Sequence, residues 1–414
     1  MNSLNNKASR LIPLFLVIFI DSLGYFLVIP VLLRLFIHGE YGLLSPSTSL
    51  TTRNLLYGIT VTLSPLAFLL SAPIIGNVSD RYGRKKTMFW CLVGSFIGFI
   101  LPIIGILTGS LTLLLLGRFI AGASSSSQPV AQAAIADFTI GKQKALYLAM
   151  IGFAMTLAMV LGPLGGGYLS DSHLVRWFNV MTPYWAGVVL SLVNIILLLI
   201  FYHEQPGDQK KLHLTSARES LNVLFTIIGK SSVSLLLLVF LLMELAWSQY
   251  YQVIFLYLSE SFHYTTTQVG LFTGYIGFWM SLGLTLIYRT AIRYVSVERI
   301  LRTSILMIVI GFIACTFIPG AIAQWIFIII IALFVGMAYP SLLALTSNHA
   351  SKEHQGWIMG IASTLLGLAW MFTAFLSGWL INYYPRLPFL FATLCIVVSM
   401  LLLFFFKAPK SDNA

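Results

Sequence analysis

The chain has 414 residues, 58% of them hydrophobic and 9% charged, with a formal net charge of +11 and a mean hydropathy of +0.91. Those values exclude an ordinary soluble domain and place the chain among proteins whose solvent is lipid. Cys91, Cys315 and Cys395 all fall inside apolar runs, so they read as small packing residues and not as a disulfide framework or a metal site.

A spanning helix needs about 20 apolar residues to cross roughly 30 Å of hydrocarbon. Twelve runs meet that need, at 11–36, 54–76, 87–107, 110–133, 146–169, 183–202, 233–258, 267–288, 300–318, 321–346, 356–382 and 387–406. The first is too long for a cleavable signal peptide, and no small-residue cleavage site follows it. The polar interval from His203 to Ser232 divides the runs into two sets of six. The expected architecture is an all-α membrane protein of twelve transmembrane helices in two six-helix bundles, a repeat-built layout. Its parts are an N-terminal bundle at 1–203, a cytoplasmic linker at 204–232 and a C-terminal bundle at 233–414.

With the N-terminus in the cytoplasm, 19 of the 24 Lys and Arg residues fall on the inner side. Arg34, Arg53, Arg176 and Arg386 fall outside, and Arg118 lies within a span. This asymmetry is the positive-inside signature of a multi-pass protein with both termini inside. The excess charge meets anionic membrane lipid and requires no nucleic-acid partner.

Asp21 sits about 16 Å into the first span, at 1.5 Å per residue. A charge at that depth costs at least about 2.5–3.5 kcal/mol, so it faces a cavity or a partner. Arg118, in the fourth span, lies at a similar depth and is the expected partner. The pair is either a static brace or a protonation switch.

Between the second and third spans runs Gly76-Asn77-Val78-Ser79-Asp80-Arg81-Tyr82-Gly83-Arg84-Lys85-Lys86, a Gly-bracketed, mostly basic turn. The equivalent turn in the second half, Tyr288 to Ser296, keeps basic charge and lacks the acid and the glycines. After Arg118 comes Ser124-Ser125-Ser126-Ser127-Gln128-Pro129, a bent segment in which Gln128 is a candidate substrate contact. The fifth span carries Ala149, Ala158, Gly162-Pro163 and Gly166-Gly167, small residues that allow close helix approach with a weak point at the proline.

Glu244 lies near the middle of the seventh span, with Trp247, Gln249, Tyr250, Tyr251 and Gln252 after it. Glu244, Trp247 and Tyr251 share a helical face. A carboxylate beside aromatics suits a cationic or amphiphilic ligand, or is a neutral hydrogen-bonded packing group. No catalytic constellation, metal-type histidine spacing or phosphate-cradling loop is present in the sequence. An enzyme, a resident metal or cofactor, and ATP-driven transport by this chain alone are therefore not expected.

These residues resemble a known family. Gly76-xxx-Asp80-Arg81-x-Gly83-Arg84-Lys85 resembles the loop 2–3 signature of the major facilitator superfamily. Asp21-Ser22-Leu23-Gly24 with Ile29-Pro30, and Arg118 with Gly122, resemble the first- and fourth-span signatures of its twelve-span drug/proton antiporters. Gly162-Pro163-x-x-Gly166-Gly167 resembles their fifth-span antiporter signature, with Ala149 and Ala158 where two further glycines are usual. The first-span pattern and Tyr339-Pro340 to Gly356 are similar to tetracycline/proton antiporters. The ninth span lacks the acid those antiporters commonly carry, which argues against tetracycline itself.

The resemblance implies alternating access by two rocking bundles in a bacterial cytoplasmic membrane. Asp80, with Gly76, Arg81, Gly83, Arg84 and Asp137, would form a cytoplasmic gate. Asp21 would carry the proton and Arg118 would tune it. Gln128, Glu244, Trp247, Gln249 and Tyr251 would line the substrate cavity. Gly162, Pro163, Gly166 and Gly167 would form a hinge. The expected function is proton-coupled export, by a monomer, of a small organic molecule, either a drug or a metabolite such as a siderophore. The rival readings are proton-linked uptake of a nutrient or metal chelate, and a non-transporting receptor that kept the fold.

Overall fold

The computed structural model describes the backbone of residues 2–37, 40–137, 142–202, 232–348 and 355–406, and their side chains except at 2–11, 40, 136–137, 142–149, 232, 348, 355–360 and 363. The expected linker at 204–232 therefore lies outside the described residues, apart from the helical backbone of Ser232. Every regular element among the described residues is helical.

The chain begins with α1 (Asn2–Phe36), α2 (Leu50–Tyr82), α3 (Arg84–Thr108), α4 (Leu111–Ser124), α5 (Ser127–Asp137), α6 (Lys142–Leu169) and α7 (Thr182–Phe201). It continues with α8 (Ser232–Phe262), α9 (Thr266–Leu282), a π-helical turn (Gly283–Ile287) and α10 (Tyr288–Ala291). It closes with α11 (Val297–Phe317), α12 (Ala321–Asn348), α13 (Gln355–Leu380) and α14 (Leu387–Phe405). Among the described residues, ten helices are long and apolar enough to cross a membrane, and Thr364–Leu380 adds a shorter apolar stretch.

The fourth run differs from the expected bent span: it is broken into α4 and α5. Pro129 has no N–H to donate to the carbonyl of Ser125, four residues back, and its ring would crowd that carbonyl. The chain instead makes a tighter bond, from Gln128 N–H to Ser125 O at 3.0 Å. A break at membrane depth survives only where freed backbone groups find partners. Ser71 of α2 supplies one: its hydroxyl lies 3.0 Å from the Ala123 carbonyl and 2.8 Å from the Ser126 hydroxyl. Ser125 Oγ donates to Ala121 O at 3.0 Å.

Two compact units emerge, each with its own core. Among the described residues, those in 2–202 and 255–278 form one, and those in 232–254 and 279–406 the other. Thus the end of α8 and most of α9 pack with the N-terminal helices.

Within the first unit, α6 packs closely on two sides, and its glycines explain how. A Cβ on Gly166 would stand 2.0 Å from the Leu27 carbonyl of α1, and one on Gly162 2.5 Å from Phe26 Cβ. On its other side α6 meets α9: a Cβ on Gly270 would stand 2.5 Å from Pro163 O, and one on Gly277 2.5 Å from Val160. Without a hydrophobic force between helices in lipid, such close backbone approach is the main source of association. Ala149 lies outside the residues whose side chains are described, and Ala158 is fully buried.

The second unit uses the same device once more. The π turn lets Gly283 pass Leu333 of α12, where a Cβ would lie 2.1 Å from the carbonyl, while Gly336 faces Met280 O.

Gly166→Ala should therefore destabilise the purified protein by about 1–3 kcal/mol, the usual range for overpacking. Gly152→Ala, where nothing lies within 4 Å of an added Cβ, should be neutral or stabilising. Thermal melts of both variants check this, and equal melting temperatures would contradict it.

Candidate functional site

Asp21 is buried in the first unit and accepts a hydrogen bond from the Ser127 hydroxyl, the first residue of α5. The break in the fourth run thus delivers a serine to the carboxylate. Arg118 is also buried, at 2% exposure, and its guanidinium lies 5.4 Å from the Tyr25 ring centroid. Tyr25 is one helical turn beyond Asp21 on the same face. Arg118 also lies within electrostatic reach of the Tyr57 and Tyr184 hydroxyls.

Asp21 and Arg118 line one enclosed cavity with Tyr25, Ser64 and Ser125. No ion pair joins Asp21 to Arg118, and Arg118 Nε and Nη2 have no hydrogen-bond partner among the described residues. The cavity measures about 20 Å³, enough for about one water and too small for an organic molecule. Ser64 Oγ donates to the Arg118 carbonyl at 2.9 Å and so fixes α4 against α2 at this level. Gln128 is half-buried beside Ser127 at the start of α5.

The second unit holds the other buried acid. Glu244, at 2% exposure, accepts a hydrogen bond from the Trp370 indole of α13 and lies near Tyr339 of α12. Tyr251 bridges Trp247 and Trp370, with ring centroids at 5.9 and 5.4 Å. Gln249 Nε2 donates to Ser377 at 2.8 Å, and Gln252 Nε2 donates to the Trp370 carbonyl at 2.8 Å and to Thr373 at 3.1 Å. The amide oxygens of Gln249 and Gln252 are buried and have no partner among the described residues. The arrangement is an aromatic wall around one carboxylate, with two spare acceptors nearby. It is suited to a cationic or hydrogen-bond-donating group.

The α2–α3 turn is built on Gly83, whose φ of +100° an L side chain rarely adopts. Gly83 caps both helices: its N–H reaches Ser79 O at 3.1 Å, and its carbonyl accepts the Thr87 hydroxyl at 2.9 Å. Asp80 pairs with Arg84 at 3.2 Å, and Arg84 Nη1 also reaches Ser79 Oγ at 3.4 Å. Arg81 lies over the Tyr82 ring. Gly76 has nothing within 4 Å of an added Cβ. The Asp137 side chain lies outside those described.

A polar knot not anticipated from the sequence lies at the far end of α6. Arg34 donates to the Ser170 carbonyl, and Thr267 Oγ1 donates to Asp171 Oδ2 at 2.7 Å. The His173 N–H donates to Asp171 Oδ1 at 2.9 Å. Together these bonds tie the end of α1, the end of α6 and the start of α9. The Thr267 hydrogen bond, helped by the His173 N–H and the charges of His173 and Arg34, holds the Asp171 carboxyl below its ordinary value. A signal was present in the fixed-turn residues Ser170-Asp171, but the partners 136 and 96 residues away are visible only in three dimensions.

A model of the Major Facilitator Superfamily matches residues 14–373 and, overlapping them, 298–414. The chain belongs to that superfamily. It is accordingly a multi-pass membrane transporter and not an enzyme. It is 26% identical to the class C tetracycline resistance protein of Escherichia coli over 353 residues, covering 84% of each chain. It is 23% identical to multidrug resistance protein 2 of Bacillus subtilis (strain 168), covering 100% of this chain and 98% of that one. Among solved structures, the D-xylose–proton symporter superposes with a TM-score of 0.77 at 15% identity, covering 98% of this chain and all of that one. The all-helical architecture is thus the major facilitator fold.

Because the Asp171 pKa is lowered in the folded state, its stabilisation is present above the ordinary carboxylate range and is lost as pH falls through the folded value. Asp171→Asn should cost roughly 0.2–1 kcal/mol at neutral pH, the range for an exposed charged contact. The gap in melting temperature from the parent should close on acidification. A gap that stays constant down to acid pH would show that the carboxylate charge does not matter.

Proposed function

We propose that this chain is a proton-coupled exporter of a small organic molecule, a drug or a metabolite such as a siderophore, working by alternating access. The observation that carries the reading is the environment of Asp21. The carboxyl is buried, holds one neutral donor in Ser127, and shares a water-sized cavity with an Arg118 that it does not engage. A static brace would be a closed ion pair. An acid beside an unengaged cation can instead gain or lose a proton as that spacing changes.

In this reading Asp21 carries the proton and Arg118 lowers its proton affinity whenever the two approach. Glu244, Trp247, Tyr251, Gln249 and Gln128 contribute to substrate binding. The aromatic wall at Glu244 favours an amphiphilic substrate bearing a cationic or donor group. Asp80 and Arg84, with Arg81, Gly76, Gly83 and Asp137, form the cytoplasmic gate. The glycines of α6 and Pro163 form the sliding contact. The moving bodies are the sequence halves 1–203 and 233–414 around the linker at 204–232. The protein works as a monomer in a bacterial cytoplasmic membrane, with both termini inside. The likeness to tetracycline and multidrug resistance proteins supports export. The likeness in fold to a D-xylose–proton symporter keeps proton-linked uptake as the second reading.

Everted vesicles containing the protein, acidified inside by respiration, test direction and coupling together. A substrate, found first by a thermal-shift screen of antibiotics and metabolites, should collapse the pH gradient and accumulate inside. Accumulation that is unchanged when the gradient is dissipated would overturn the proton role, and substrate-driven efflux from the vesicles would favour uptake. Asp21→Asn should abolish gradient-driven transport while still binding substrate. Asp80→Asn should slow turnover at least tenfold with normal membrane insertion; full turnover would reduce the α2–α3 turn to an orientation signal.

A further inference from the structure

The helices α2, α3 and α4 enclose a groove of about 420 Å³ on the side of the molecule that carries the α2–α3 turn. Its walls are Ile75, Val78 and Tyr82 of α2 and Trp90 of α3, and its floor is Cys91 with Ser124. Gly94 makes the floor possible, because a Cβ there would stand 2.2 Å from Ser124 Oγ. The ending of α4 at Ser124 leaves Ala123 and Ser124, two small residues, where a longer side chain would fill the space.

The groove is apolar along its length and basic at one end. Lys86 lines it, and Trp90, four residues on, shares its helical face. Trp90 is 69% exposed and Tyr82 57%, so both rings flank the opening. The neighbouring cations are engaged: Arg84 with Asp80, Lys85 with the Leu199 carbonyl at 3.1 Å, and Arg81 over Tyr82. Among the described residues no carboxylate pairs with Lys86.

We propose that this groove binds one anionic phospholipid, with an acyl chain between α2 and α3 and the phosphate on Lys86. The chemistry matches in three ways. An apolar trough of this volume takes a chain and not a hydrated solute. Trp90 and Tyr82 are the ring types enriched where headgroups begin. Lys86, which pairs with no carboxylate among the described residues, selects negative over zwitterionic lipid. The bound chain would cover the Cys91 thiol, which lies near Asp21. The site is independent of which substrate is carried and of its direction.

The test uses the full-length protein in neutral detergent with an equimolar mixture of phosphatidylglycerol and phosphatidylcholine, read by native mass spectrometry. The parent should retain phosphatidylglycerol about fivefold over phosphatidylcholine, the selectivity of one well-placed lysine. Lys86→Gln should lose the preference and keep its melting temperature. Val78→Trp, which fills the trough from a 39%-exposed position, should lose retention of both lipids. Excess inorganic phosphate should not displace the lipid, since the chain holds it. Unchanged preference in Lys86→Gln, or unchanged retention in Val78→Trp, would overturn the proposal. So would displacement by a long-chain quaternary ammonium that binds equally well to parent and Lys86→Gln, which would mark the groove as a route for cationic amphiphiles.

Discussion

In a hydrocarbon solvent, every buried polar group must find its partner inside the protein. That constraint governs the first unit more than any other. A proline at position 129 breaks the fourth run, and the break frees backbone carbonyls. The Gln128 N–H takes up the Ser125 carbonyl and the Ser71 hydroxyl takes up the Ala123 carbonyl, and the turn of chain that results presents Ser127 to Asp21. A defect in one helix is thereby converted into the donor that a buried carboxyl requires. Arg118 is held apart, over Tyr25, by its own set of aromatic neighbours.

Packing follows the same logic in a different form. Apolar side chains gain little by leaving lipid for protein, so helices associate where backbones approach closely. The glycines of α6 permit this on two sides at once, against α1 and against α9. A helix packed through glycine makes its contacts mainly through backbone, with few interdigitating side chains. The polar knot of Arg34, Ser170, Asp171 and Thr267 then closes one end of that contact with bonds that break and re-form at modest cost.

Much of this was legible in the sequence, and the limits have physical causes. Run length and the asymmetry of Lys and Arg report how a chain meets a bilayer, so the helical membrane architecture could be read directly. The small residues of the fifth run predicted close approach, but not that both faces of α6 would be used. Depth gives one coordinate of a side chain and not its direction around the helix. Asp21 and Arg118 therefore matched in depth, while the structure gives Asp21 to Ser127. Gln249, expected at the substrate, donates one amide N–H to Ser377, and its amide oxygen has no partner among the described residues. Trp370 had no sequence signal at all, because its role comes from packing a distant helix against Glu244.

The central claim is that Asp21 exchanges a proton within the folded protein. Infrared difference spectra of the reconstituted protein, recorded across a pH titration, measure this without a substrate through the carboxylic acid C=O stretch. The account predicts a titrating buried-carboxyl band that is absent from Asp21→Asn and displaced in Arg118→Gln. A spectrum in which Asp21→Asn retains every titrating band of the parent would contradict it.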